Sequence, residues 1–65
     1  MNAIAHVLVL EDGAVLAWDG MGNRLPEFEG QRDRVVDKIR GALAEKHTIE
    51  KQRGDDFEKV SRWQL

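Results

Sequence analysis

The sequence predicts a small α+β domain: an antiparallel sheet of two hairpins with one amphipathic helix packed on one face, in the order ββαββ. Three observations predict it. Two runs rich in Val, Leu and Ile, Ala3 to Leu10 and Ala14 to Trp18, flank an Asp12-Gly13 pair, and an Asp-Gly between apolar runs is a strong hairpin signal. Val35, Val36, Ile39, Ala42 and Leu43 recur at three- and four-residue spacing, the stripe of a helix with one face on a core. Around Gly54-Asp55, one register sets Arg53 against Asp56, Lys51 against Glu58, Glu50 against Lys59 and Ile49 against Val60. Opposite charges and β-branched residues facing each other across a turn are what a second hairpin uses, each pair being worth about 0.2–1 kcal/mol.

In the first hairpin, a two-residue turn at Asp12-Gly13 pairs Val9 with Leu16, Val7 with Trp18 and Leu10 with Val15. Alternation then puts Ala5, Val7, Val9, Leu16 and Trp18 on one face. Ile4, Leu8, Leu10, Val15 and Ala17 take the other, with His6 opposite Asp19. Both faces are apolar, whereas a sheet with one wet face alternates polar and apolar residues. The stretch Asp19-Gly20-Met21-Gly22-Asn23-Arg24 reads as a turn or a bulged strand. In Leu25 to Phe28, Pro26 argues against a central strand. The helix is expected over Gln31 to Lys46, with Asp33 in its first turn and Lys46 and His47 at its end, an order that complements the helix dipole. Gly41 falls on its polar face and reads as an unoptimised surface position. From Thr48 to Leu65 the hairpin competes with a short helix at Asp56–Trp63, capped by Asp55, which would make the order ββαα or ββαβα.

The 65 residues make one small domain, 1–65, near the lower size limit for folding without a disulfide or metal. There is no cysteine, which suits a reducing compartment. The first residues show no basic export region, and their apolar run is too short to span a membrane. A cytoplasmic protein is therefore expected, with no membrane association, and its Ala, Arg, Gly and Val usage has a bacterial or phage-like cast. Ten basic and twelve acidic side chains give a net charge of −2. That lacks the basic excess of a dedicated nucleic-acid binder and falls far short of an acidic DNA mimic.

Residue types for catalysis are sparse. Ser61 is the one serine, Thr48 the one threonine, and neither Cys nor Tyr occurs. No local grouping of nucleophile, base and orienting acid is seen, so no enzyme and no catalytic residue is expected. His6 against Asp19 reads as a satisfied strand histidine. Asp19, Asn23 and Glu27 have loosely alternating spacing, but Met21 and Leu25 stand where a calcium loop needs oxygen ligands. The glycines of Gly20-Met21-Gly22 do not lead from a strand into a helix as a phosphate loop requires. No metal, cofactor or small-molecule substrate is expected. Arg53-Gly54-Asp55 reads as a turn.

Arg24, Arg32, Arg34, Arg40, Arg53 and Arg62, with Trp18, Phe57 and Trp63, offer the chemistry of backbone contact and base stacking. On the helix, Asp33, Asp37 and Glu45 interrupt the basic residues, which favours a solvated, ion-paired surface. A hairpin, Leu25-Pro26 and a helix from Gln31 are similar over about half of the chain to small antitoxins of the HicB type. The helix composition and extra DNA-binding part of those proteins are not evident, and the match is too generic to assign the chain to them.

One helix covers one face of a small sheet, so a hairpin apolar on both faces implies further cover. Exposed apolar patches mark interaction sites, and Trp is enriched at their centres. The expectation is a non-enzymatic protein-interaction module, a homodimeric accessory or regulatory protein whose interface is carried by Val7, Val9, Leu16 and Trp18. The alternative is a small nucleic-acid-binding regulator.

Overall fold

The computed structural model describes residues 3–65. The chain runs β1 (Ile4–Val9), β2 (Ala14–Asp19), β3 (Gly30–Gln31), α1 (Arg32–Ala42), β4 (Leu43–Arg53) and β5 (Asp56–Lys59), with 3-10 turns at Pro26–Phe28 and Arg62–Gln64. The α+β class holds, and the strands form one five-stranded sheet in the order β3-β2-β1-β4-β5. This sheet is mixed, where two antiparallel hairpins were expected: β4 lies beside β1 and parallel to it. The cause is the helix. Parallel neighbours need a crossover connection; α1 leaves β3 at one edge, packs over β2 and β1, and returns the chain on the far side of β1.

The first turn is one residue longer than the sequence suggested. Leu10 N–H donates to Ala14 C=O at 2.8 Å and Gly13 N–H to Leu10 C=O at 3.0 Å. Asp12 Oδ1 accepts the Ala14 N–H at 3.0 Å, and Gly13 sits at φ +89°. Glu11, Asp12 and Gly13 thus form a three-residue loop closed by a left-handed glycine. The register slips by one, so that Val9 faces Val15, Leu8 faces Leu16, Val7 faces Ala17 and His6 faces Trp18. A one-residue slip exchanges faces on one strand relative to the other. The expected set of Ala5, Val7, Val9, Leu16 and Trp18 is therefore divided: Val7, Val9, Val15 and Ala17 are buried together, while Leu16 and Trp18 share the other face with Leu8 and His6. A bulge at Ala5 adds a residue to β1, so Ile4, rather than His6, lies opposite Asp19. That extra residue lets Ile4 and Val7, three apart, both reach the core.

Helix α1 buries Val35, Ile39 and Ala42, as the stripe predicted. It ends at Ala42, four residues short of Lys46, because Leu43 is already extended (φ −66°, ψ 132°) and starts β4. Leu43 is buried and registers with Ile4. The next register pair is His6 with Thr48, so residues 44–47 form an irregular step in β4. Lys46 and His47 fall in that step, and His47 Nδ1 meets Ala44 C=O at 2.7 Å.

The second hairpin has the predicted register: Glu50 faces Lys59, Lys51 faces Glu58, Arg53 faces Asp56, and Val60 N–H donates to Ile49 C=O at 2.9 Å. The ion pair that forms is diagonal, Arg53 to Glu58. A helix over Asp56–Trp63 is ruled out by β5, and only the short turn at Arg62–Gln64 is helical. That turn carries the chain back to the helix side, where Leu65 is buried with the core. Burying such a side chain contributes about 1.5–3 kcal/mol. Three basic residues hold the segment by its main-chain oxygens: Arg32 on Leu65, Arg40 on Arg62 (2.9 Å) and Lys51 on Gln64 (2.9 Å).

Candidate interaction face

Every described element outside the sheet lies on the core side. Helix α1 covers it, Leu25 and Phe28 of the first 3-10 segment pack against the buried cluster, and Leu65 closes it from the other end. The opposite face of the sheet is left uncovered by the described residues. At its centre stand two cross-strand pairs, Leu8 with Leu16 and His6 with Trp18, all half-buried. The His6 and Trp18 rings lie 5.3 Å apart at 42°, within the range of tilted aromatic contacts.

Of the four residues expected at an interface, Leu16 and Trp18 are on this face. Val7 and Val9 are not; they lie in the core beneath the helix, 0% and 4% exposed. Their places are taken by Leu8 and His6. The signal that would have found them is the parity of β1, which depends on the length of the Glu11–Gly13 loop.

Charged groups flank the block on both sides. Toward β3, Arg24 bridges Trp18 and lays its guanidinium 5.6 Å from the ring centroid. It is oriented by Glu29, with Nε to Oε2 at 2.5 Å and Nη2 to Oε1 at 2.8 Å. Glu29 Oε2 also accepts the Ala17 N–H at 3.2 Å. The hydrogen bonds from Arg24 hold the Glu29 carboxyl below its ordinary range, more than offsetting burial, and Glu29 in turn raises the Arg24 guanidinium. Toward β5, His6 Nδ1 meets Thr48 Oγ1 at 2.6 Å and Nε2 lies 3.5 Å from Glu50 Oε1. Glu50 has Lys59 directly across the ladder.

Hydroxyl, imidazole and carboxylate in line share the outline of a catalytic triad, although Nδ1 rather than Nε2 faces the hydroxyl. Such a triad works beside a recess that binds the substrate and stabilises an oxyanion. These three side chains stand on the flat of the sheet. A cavity of about 510 Å³ lies elsewhere, among Leu10, Glu11, Arg32, Lys51 and Arg53 at the sheet's end, and contains none of them. In the cluster Thr48 and Glu50 fix the orientation of the His6 ring against Trp18.

Asp19 caps the loop that follows β2. Its Oδ1 accepts the Met21 and Asn23 N–H groups, both at 2.9 Å, and the bond from Asn23 is the largest cause of its lowered pKa. Among the described residues, no group of three or more His, Asp or Glu side chains is placed to hold a metal, and no helix is long and apolar enough to cross a membrane. Comparison with protein-family models, with curated proteins and with solved structures finds no match to this chain.

Proposed function

We propose that the protein is a non-enzymatic interaction module, an accessory or regulatory protein that acts as a homodimer through the sheet face opposite its helix. The observation that carries this reading is the block of Leu8, Leu16, His6 and Trp18 at the centre of that face, with no described element over it. Contiguous apolar surface of this kind is the usual mark of an interaction site on a small soluble chain. The ends of Arg24 and Glu50 beside it supply the polar rim that surrounds an apolar centre in protein interfaces.

A nucleic-acid reading draws less support from the arrangement of the arginines. Arg32 and Arg40 grip main-chain oxygens, and Arg24 and Arg53 pair with Glu29 and Glu58. Those arginines are engaged within the fold, and Glu50, an acidic residue, stands directly beside Leu8 on the face that would have to stack bases.

Analytical ultracentrifugation at micromolar concentration tests the proposal. The expected result is a dimer for the native chain and a folded monomer for Leu16→Glu, with an unchanged helix signal in circular dichroism. A native chain that stays strictly monomeric across the concentration range overturns the homodimer.

A further inference from the structure

We infer that His6, Thr48 and Glu50 make the uncovered face sensitive to pH: His6 takes up a proton in place between about pH 8 and 5, and the face gains a positive charge beside Trp18. The device needs no second copy; it follows from the partner of each ring nitrogen. Nε2 lies 3.5 Å from Glu50 Oε1, and Nδ1 lies 2.6 Å from Thr48 Oγ1. A neutral imidazole has one donor and one acceptor nitrogen, and a carboxylate only accepts. Glu50 therefore assigns the proton of the neutral ring to Nε2, and Nδ1 accepts the Thr48 O–H. On protonation Nδ1 becomes a donor as well. A hydroxyl rotates to suit either role, so Thr48 turns from donor to acceptor while the ring keeps both partners. A main-chain N–H in that place would oppose the charged form. His47 supplies the contrast. Its Nδ1 meets Ala44 C=O at 2.7 Å, and since a carbonyl only accepts, that nitrogen carries a proton in both forms.

The surroundings of the ring admit the added charge. The His6 side chain is 34% exposed, so a proton reaches it from solvent without any opening of the fold. From β4 it is faced by Glu50, and Lys59 of β5 lies across the ladder on the far side of that carboxylate. From β2 it is faced by Trp18, with 5.3 Å between ring centroids. Arg24 lies over the same indole, but its guanidinium is bonded twice to Glu29. Asp19, at the end of β2, accepts the N–H groups of its own loop. Glu50 is thus the carboxylate that receives the charged ring. A cation within about 6 Å of an indole centroid is also attracted by the ring's face, so the new charge settles between Trp18 and Glu50.

Trp63→Phe leaves Trp18 as the one indole of the chain, and an imidazolium in contact with an indole quenches its emission. Emission of this variant is expected to fall in a single step as the pH is taken from about 8 to 5, with unchanged circular dichroism. The midpoint should be the same at protein concentrations about tenfold apart. His6→Gln should remove the step, and Glu50→Gln should move it to lower pH. Above the step, nitrogen-15 shifts of the rings should show a bare Nδ1 on His6 and a bare Nε2 on His47. Emission that stays level, a step that survives His6→Gln, or one that Glu50→Gln leaves unmoved overturns the pH-sensitive face. A neutral His6 ring with its proton on Nδ1 does the same, because Thr48 then has no role to reverse. A midpoint that follows protein concentration means that the step reports association; it overturns the proton uptake in place and leaves the homodimer standing.

Discussion

At the scale of single residues, Glu29 does more than its place in a loop suggests. It orients Arg24 over Trp18 and accepts a main-chain N–H from Ala17, a β2 residue whose side chain is in the core. Its pKa and that of Asp19 are lowered in the folded chain. A carboxylate with a depressed folded pKa stabilises the fold at pH above its unfolded value and loses that contribution as pH falls through the folded value. The stability of the protein should therefore be level near neutrality and fall as the pH drops below the ordinary carboxylate range of about 4. Glu29→Gln removes the negative charge that pairs with Arg24 while keeping an oxygen acceptor. It should lower stability at pH 7 and make the decline in acid shallower, which urea titrations at pH 7, 5 and 3 will measure. A decline as steep as that of the native chain would mean that the Arg24–Glu29 pair does not contribute to acid sensitivity.

At the scale of elements, the loop between β1 and β2 decides the most. Gly13 at φ +89° is needed there, since a Cβ in the left-handed region costs about 1–2 kcal/mol. A Cβ on Gly13 would also meet Gln31 Oε1 at 3.2 Å, while one on Gly41, in the helix, meets nothing within 4 Å. Gly13→Ala should destabilise the chain by about 1–2 kcal/mol, and Gly41→Ala should stabilise it by up to about 1 kcal/mol. Chemical denaturation of the two variants checks both signs. The same loop explains what could be read from the sequence and what could not. The existence of the first hairpin, the buried stripe of Val35, Ile39 and Ala42, and the register around Gly54-Asp55 were all visible, because each rests on neighbours within one element. Asp12-Gly13 fits a two-residue or a three-residue loop equally well; the shorter loop would group Val7 and Val9 with Leu16 and Trp18, and the longer one separates them. The parallel pairing of β1 with β4, the anchoring of Leu65 by Arg32 and the approach of Thr48 and Glu50 to His6 join residues more than 30 apart. Local patterning carries no trace of such contacts; they are set by the crossover of α1.

At the scale of the whole molecule, the question is whether 65 residues with one helix over one sheet face are stable alone or draw stability from a second copy. The core is small: three helix residues, five from the first hairpin beneath them, and Leu43, Ile49 and Leu65 around these. A chain of this size has little stability to spare, and Leu8, Leu16 and Trp18 remain only half-buried within it. Dimerisation would bury them and couple folding to association. For such a protein the midpoint of thermal unfolding depends on protein concentration, because mass action favours the bound native state. The melting temperature of the native chain should rise steadily between about 1 and 100 μM, whereas Leu16→Glu should melt at one temperature throughout. The comparison separates two sources of stability that a single melting curve merges. A concentration-independent midpoint for the native chain would mean that the helix and one sheet face suffice, and that the uncovered face contributes nothing to holding the fold.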